Sequence, residues 1–185
     1  MTHNNTKELS HLKKCLQREV MLSDKTFSWF KTIHKAFKCP DRRFYFWWRI
    51  ANYLYRSDTG KKLAIRINRN LRNKYGLDIN LGAIIGDGLR ISHYVGIVIT
   101  KHCVIGDNLH ISQNVTIGIK NNGQPGKIHI GNNVRIGANS CIIGDDLHIG
   151  DNVTIGAAAF INKNVPSDNI CYTSHILNLK PRVEV

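Results

Sequence analysis

Histidines and cysteines are the side chains of this chain whose types suit acid–base, nucleophilic or metal chemistry, and their spacing limits which. The 185 residues hold five cysteines: Cys15, Cys39, Cys103, Cys141 and Cys171. The number is odd, they are widely scattered, and no CxxC pair occurs. That pattern argues against a disulfide framework or a structural zinc site and fits reduced thiols in a cytoplasm. Of the nine histidines, His110, His129 and His148 each directly precede an isoleucine of a recurring series. The spacing of His129 and His148 places them on one face of adjacent coils, as an outward ladder, with His129 also closing a long insertion. His93 differs, because it falls where the series breaks. A neutral imidazole within hydrogen-bond reach of a hydroxyl takes its proton as attack proceeds, a gain of roughly 10²–10⁴.

The element that must position these residues is legible from its period. Isoleucine recurs at 79, 85 and 91, then at 99, 105, 111 and 117, then at 130 and 136, then at 143, 149, 155 and 161. Glycine often follows it, as in Ile105-Gly106, Ile130-Gly131 and Ile155-Gly156, with Asn or Asp soon after. A helix needs apolar residues 3.6 apart and a strand needs 2. A period of six fits a solenoid of short flat faces, each turning one aliphatic side chain inward. The glycines and Asn/Asp suit corners where φ is often positive. Coils stack at about 4.8 Å, and only the stack can bury the isoleucines.

The series breaks in three places. Two extra residues intrude between Ile91 and Ile99, around His93-Tyr94-Val95-Gly96. Thirteen residues separate Ile117 from Ile130, so residues 119–128 are expected to loop out. One extra residue lies between Ile136 and Ile143. Outward loops of a solenoid commonly carry function.

Residues 1–76 read as helical. Pro40-Asp41 suits the start of an aromatic-rich helix, and Ser57-Asp58 a cap for the next, which ends near Gly76. This region carries 18 Lys/Arg against 5 Asp/Glu, whereas residues 77–185 carry 8 of each. All of the +13 net charge therefore lies before the solenoid. Such a patch attracts anionic lipid headgroups, an acidic glycan or nucleic acid, or is a solvated helical surface. The aromatics are expected to dock on the solenoid or a partner subunit, or to dip into a membrane interface. No apolar run is long enough to span a bilayer, and no h-region marks a secretory signal. The organisation expected is a helical region at 1–76, a β-helix at 77–170 and a tail at 171–185.

Residues 77–185 resemble the hexapeptide-repeat acyltransferases, and within them the serine acetyltransferase-like branch. The resemblance rests on Tyr75-Gly76-Leu77-Asp78-Ile79, Ile85-Gly86-Asp87-Gly88-Leu89-Arg90-Ile91-Ser92-His93, Val115-Thr116-Ile117-Gly118, Ile130-Gly131-Asn132-Asn133-Val134-Arg135-Ile136-Gly137-Ala138 and Ile149-Gly150-Asp151-Asn152-Val153-Thr154-Ile155-Gly156-Ala157. The basic, aromatic lead-in is similar to that of members acting on capsule, O-antigen and colanic acid.

This resemblance implies a left-handed parallel β-helix, although parallel crossovers in general favour the other hand. It implies transfer of an acetyl group from acetyl-CoA to a hydroxyl, with His93 as general base and Asp78 orienting it. It implies a homotrimer or a dimer of trimers, with sites between neighbouring β-helices. The cofactor arm is implied near Ala138 and Ala157, with Gly118 and Lys180 as further contacts. A thioester is already activated, so no covalent nucleophile is needed. A carboxylate on the far ring nitrogen would fix the tautomer, and amides at Val95-Gly96 could hold the oxyanion. A zinc site of the kind known on this fold needs histidines five positions apart; none here are.

Two departures bear on the acceptor. Serine acetyltransferases carry an aspartate before the catalytic histidine, where this chain has Ser92, and an Arg-His-Pro in the long loop, where it has Ile119-Lys120-Asn121-Asn122-Gly123-Gln124-Pro125. Ser92, Lys120, Asn121 and His129 thus suit a sugar hydroxyl of a bacterial surface polysaccharide or its precursor. The alternatives are serine O-acetylation and, from another class, a non-catalytic trimeric scaffold. The location expected is cytoplasmic, with possible peripheral contact to an anionic membrane surface. Nucleic acid is not an expected partner, because no binding motif accompanies the charge.

Overall fold

The computed structural model describes residues 2–120 and 126–174. Among the described residues four helices lead into a solenoid: α1 (Thr2–Leu16), α2 (Trp29–Lys38), α3 (Pro40–Arg56) and α4 (Lys61–Tyr75). A π-helical turn, Gln17–Met21, extends α1. Proline at the first position of α3 needs no donor there, and Gly76 at φ +67 closes α4. The capping expectation at Ser57-Asp58 is corrected: α4 starts at Lys61 behind Gly60, with no side-chain cap. Ser57 Oγ instead donates to Tyr53 O at 2.7 Å, closing α3.

Fourteen strands of two or three residues follow, β1 (Asp78–Ile79) to β14 (Ile170–Cys171). They form three parallel sheets, β1-β4-β7-β10-β13, β2-β5-β8-β11 and β3-β6-β9-β12-β14, here called faces one, two and three. Up to β13 every third strand shares a face, so each coil contributes one strand to each side of a triangular prism; in the last coil only the Val165 bridge to Ile149 continues face two before β14. This is the left-handed parallel β-helix.

Each six-residue unit buries two side chains, where the isoleucine series marked only one. Leu109 precedes Ile111 by two, Val115 precedes Ile117 and Val134 precedes Ile136, and all are at most 2 % exposed. The period of two within each short strand makes both point inward. One register assignment is corrected. Ile142, not Ile143, lies in the core at 0 % exposure and pairs with Ile117 and Ile161. Six residues from Ile136 to Ile142 keep the period, so the extra residue falls in the Gly144-Asp145-Asp146 corner.

The glycine after each isoleucine has a different role from the one its type suggested. Positive φ falls on Asn108, Asn133 and Asn152 instead, a row along the edge between faces two and three. Their amides form a ladder, Asn108 to Asn133 at 2.8 Å and Asn133 to Asn152 at 2.9 Å. The glycine allows coils to approach: a Cβ on Gly131 would stand 2.7 Å from the Gly150 carbonyl carbon.

The helices close the first coil. Phe44 and Trp48 of α3 join the solenoid core, and Trp48 Nε1 donates to Ile79 O at 3.3 Å. Docking is therefore the fate of these aromatics. Arg49, 3 % exposed, bonds both oxygens of Glu19 at 2.9 and 2.6 Å and donates to Ile85 O and Gly86 O at 2.7 and 2.6 Å. Glu19 also accepts from Leu89 N at 2.9 Å. Burial opposes the charge on Arg49, but Glu19 outweighs it and raises its pKa. Lys14 and Arg18 both ion-pair with Asp87 at the first corner. Helix α2 faces outward, with Phe30 81 % and Phe37 62 % exposed.

Candidate active site

His93 lies in the corner that joins β3 (Arg90–Ser92, face three) to β4 (Val98–Ile99, face one). Gly96, not His93, occupies the usual corner position: a Cβ there would collide with Asn114, its counterpart one coil on. The two inserted residues therefore make a bulge, and His93 sits on it, exposed, at φ +63. Positive φ is common at the corners of this solenoid, as at Asn108, Asn114 and Ala158, so what sets His93 apart is the two-residue insertion that carries it. The bulge is anchored by the next side chain. Tyr94 packs on Phe44 and Tyr75 at 5.1 and 5.0 Å and its hydroxyl donates to Asp41 O at 3.0 Å. Among the described residues neither ring nitrogen of His93 has a hydrogen-bond partner.

Asp78 opens β1, whose neighbour is β4, the strand that the His93 corner feeds. Its carboxylate is held by Arg72 at 3.4 Å and Asn80 at 3.3 Å, and no hydrogen bond joins it to His93. The two stand at the same end of the prism without forming a pair within the single chain. The Val95-Gly96 oxyanion expectation is corrected in part: Gly96 N–H is spent on Gly76 O at 2.7 Å.

Ser92 Oγ lies 2.7 Å from His110 Nε2, on the next coil of face three. Burial, then the charges of Arg135 and Arg90, push the His110 pKa down. Ala138 and Ala157 follow β9 and β12 on the same edge of the prism as His93, two and three coils further along. Ala138 is half-buried and Ala157 exposed, which leaves a shallow edge for a ligand to follow.

Gly118, Lys120 and His129 lie elsewhere. They flank the excursion between β7 (face one) and β8 (face two), on another edge. Face two is re-entered at Ile128, the first residue of β8. His129 stacks on His148 with ring centroids 4.8 Å apart and planes 7° apart, the expected ladder. Asn121 and Lys180 lie outside the described residues, as do half of the excursion and most of the tail. Among the described residues no group of His, Cys, Asp or Glu could hold a metal ion.

Sequence reasoning missed a cleft of about 460 Å³ on face three, between Arg90, His110 and Arg135 on the coils and Arg18, Asp41 and Arg42 from the helices. The six-residue spacing of outward positions could have exposed the Arg90 and Arg135 row; the helical wall could not have been placed.

No protein-family model matches this chain, and no curated protein matches it. Solved structures do. The architecture, a hexapeptide β-helix behind a helical lead-in, is that of the serine acetyltransferases. Isoform 3 from Entamoeba histolytica, solved in complex with cysteine, is 26% identical with a TM-score of 0.71 over 96% of this chain and 62% of that one. The soybean apoenzyme is 26% identical with a TM-score of 0.71, covering 91% and 67%. The Neisseria gonorrhoeae enzyme in complex with serine is 27% identical with a TM-score of 0.68, covering 89% and 66%. This chain thus spans under two thirds of the Entamoeba protein.

Proposed function

We propose that this chain is an acetyl-CoA-dependent O-acetyltransferase with His93 as general base. The observation that carries the reading is His93 itself: exposed, without a hydrogen-bond partner among the described residues, on a corner two residues longer than the one above it. It sits on the edge that also carries Ala138 and Ala157, along which the cofactor arm would run. The acceptor hydroxyl gives its proton to the His93 imidazole as its oxygen attacks the thioester carbonyl carbon. The tetrahedral intermediate collapses, the carbon–sulfur bond breaks, and the leaving thiolate takes the proton from the imidazolium. The products are an acetyl ester and CoA, with His93 neutral again.

Asp78 orients the ring in this reading. The assembly is a homotrimer, or a dimer of trimers, so that Gly118, Lys120, Asn121 and His129 of one subunit approach the next one's His93. Lys180 serves the cofactor.

L-Serine is the acceptor that the solved relatives support, through their fold and names. A sugar hydroxyl of a surface polysaccharide or its precursor is the second reading. One observation favours it: Ser92 is tied to His110 where a zwitterion's ammonium would want a carboxylate. Helix α2 adds a peripheral contact with an anionic membrane surface, because Phe30 and Phe37 are exposed beside Lys31 and Lys38, and the helix holds no acidic residue.

The test is CoA release from acetyl-CoA with L-serine and a panel of sugars, wild type beside His93→Ala. His93→Ala is expected to lower turnover roughly 10²–10⁴-fold. Equal turnover in the two proteins would remove His93 from the chemistry.

A further inference from the structure

The cleft on face three is more than a surface dent. Arg90, His110 and Arg135 stand in register on β3, β6 and β9, at about 4.8 Å per coil. Among the described residues no carboxylate lies within ion-pair reach of Arg90 or Arg135. The opposite wall adds Arg42, whose Nη1 donates to Val20 O at 3.2 Å but whose buried Nε has no hydrogen bond and only the Asp41 carboxylate at 3.8 Å. Arg18 closes one end, already engaged by Asp87 and Asn108. The other carboxylate on the wall, Glu19, is neutralised by Arg49. Burial first, and then the charges of Arg135 and Arg90, lower the pKa of His110. Guanidinium groups bind phosphate and carboxylate oxygens through paired N–H donors.

The floor of the cleft leads to the proposed base. Arg90 and Ser92 both point outward from β3, about 7 Å apart, with His93 one residue beyond. His110 links the two ends through its bond to Ser92. The donor's path at Ala138 and Ala157 lies on the neighbouring edge, which begins three residues beyond Arg135.

We infer that this cleft binds the acceptor through an anionic group, so that the acceptor is net negatively charged: a sugar bearing a phosphate or a carboxylate. The inference rests on the acetyltransferase reading for the acceptor's role, but not for anion binding. A free amino acid does not fit as well. Its carboxylate and hydroxyl are closer together than Arg90 and His93, and its ammonium would meet uncompensated arginines.

The first experiment titrates inorganic pyrophosphate into the full chain by calorimetry. Saturable binding is expected, at least about tenfold weaker in Arg90→Gln/Arg135→Gln, the effect of losing charged hydrogen bonds. Both residues are exposed and free of ion pairs, so the variant should fold, which circular dichroism checks. Lys62→Gln, exposed on α4, serves as control and should bind as wild type. No saturable binding, or an equal loss in Lys62→Gln, overturns the inference. The second experiment measures CoA release with glucose 1-phosphate, glucuronic acid, glucose and L-serine. A preference for the first shows phosphate recognition and for the second carboxylate recognition; preference for glucose or L-serine overturns the inference. The double variant should raise KM for the acceptor; a rise only in KM for acetyl-CoA reassigns the cleft to the donor and overturns it. If no acceptor supports turnover while pyrophosphate binding still depends on the two arginines, the reaction and the acceptor role fall together and an anion site remains.

Discussion

The solenoid and its helical lead-in are stabilised in opposite ways. The solenoid repeats one local solution: two inward apolar side chains per unit, an asparagine at the corner, a glycine where coils approach. Its charges balance, and each coil needs only its neighbours. The helical region carries the whole positive excess and is attached by particular bonds, above all Arg49 with Glu19 and Trp48 with Ile79 O. Repetition tolerates insertions, and both the His93 bulge and the excursion use that tolerance. Specific bonds do not tolerate loss.

Removing one partner of the buried ion pair is therefore expected to have the largest effect on stability. Glu19→Ala should cost about 3–5 kcal/mol, because Arg49 would stay buried and uncompensated. All three tryptophans lie in the helical region. Their fluorescence in urea should then change at lower concentration than the strand signal in circular dichroism; coincident transitions would mean that the two regions unfold as one unit.

The register offers a sharper cut. Ile142→Ala should cost about 2–5 kcal/mol and Ile143→Ala clearly less, since only the first fills the core. Thermal denaturation of the two variants checks it, and equal losses would return the extra residue to its sequence-based place.

A smaller effect concerns pH. The His110 pKa is lowered by burial and by Arg135 and Arg90. Below its unfolded value the unfolded chain binds a proton that the folded chain refuses. This group's share of stability is therefore present above about pH 6.5 and lost as pH falls below it. His110→Asn should flatten the profile in that window, measured by urea midpoints at several pH values.

The smallest effect on stability is expected at α2. Phe30→Ser with Phe37→Ser should stay within about 0.5 kcal/mol, because neither side chain is buried. Sedimentation with vesicles rich in phosphatidylserine should fall sharply for that variant; unchanged binding would leave the helix as an ordinary solvated surface.

The isoleucine period, the glycines and the breaks were legible because each reports a local requirement that recurs coil after coil. The stacking of His129 on His148 followed from spacing alone. The second inward row escaped notice because its residues vary among Leu, Val, Ile and Ala, so no single letter repeats. Ile143 was mistaken for Ile142 because two adjacent isoleucines satisfy the same pattern, and only packing selects between them.

By itself, then, the sequence determined the prism, its period, the position of the long bulge at His93 and the helical character of residues before it. Those features depend on neighbours in the chain or one coil away. Only the tertiary structure decided where the helices dock, that Asp78 is held by Arg72, that Ser92 meets His110, and that arginines from four separate elements face one cleft. These join groups up to 90 residues apart, as in Arg18 with Asn108. Contacts at that range depend on the angle at which one region closes on the other, which no local periodicity encodes.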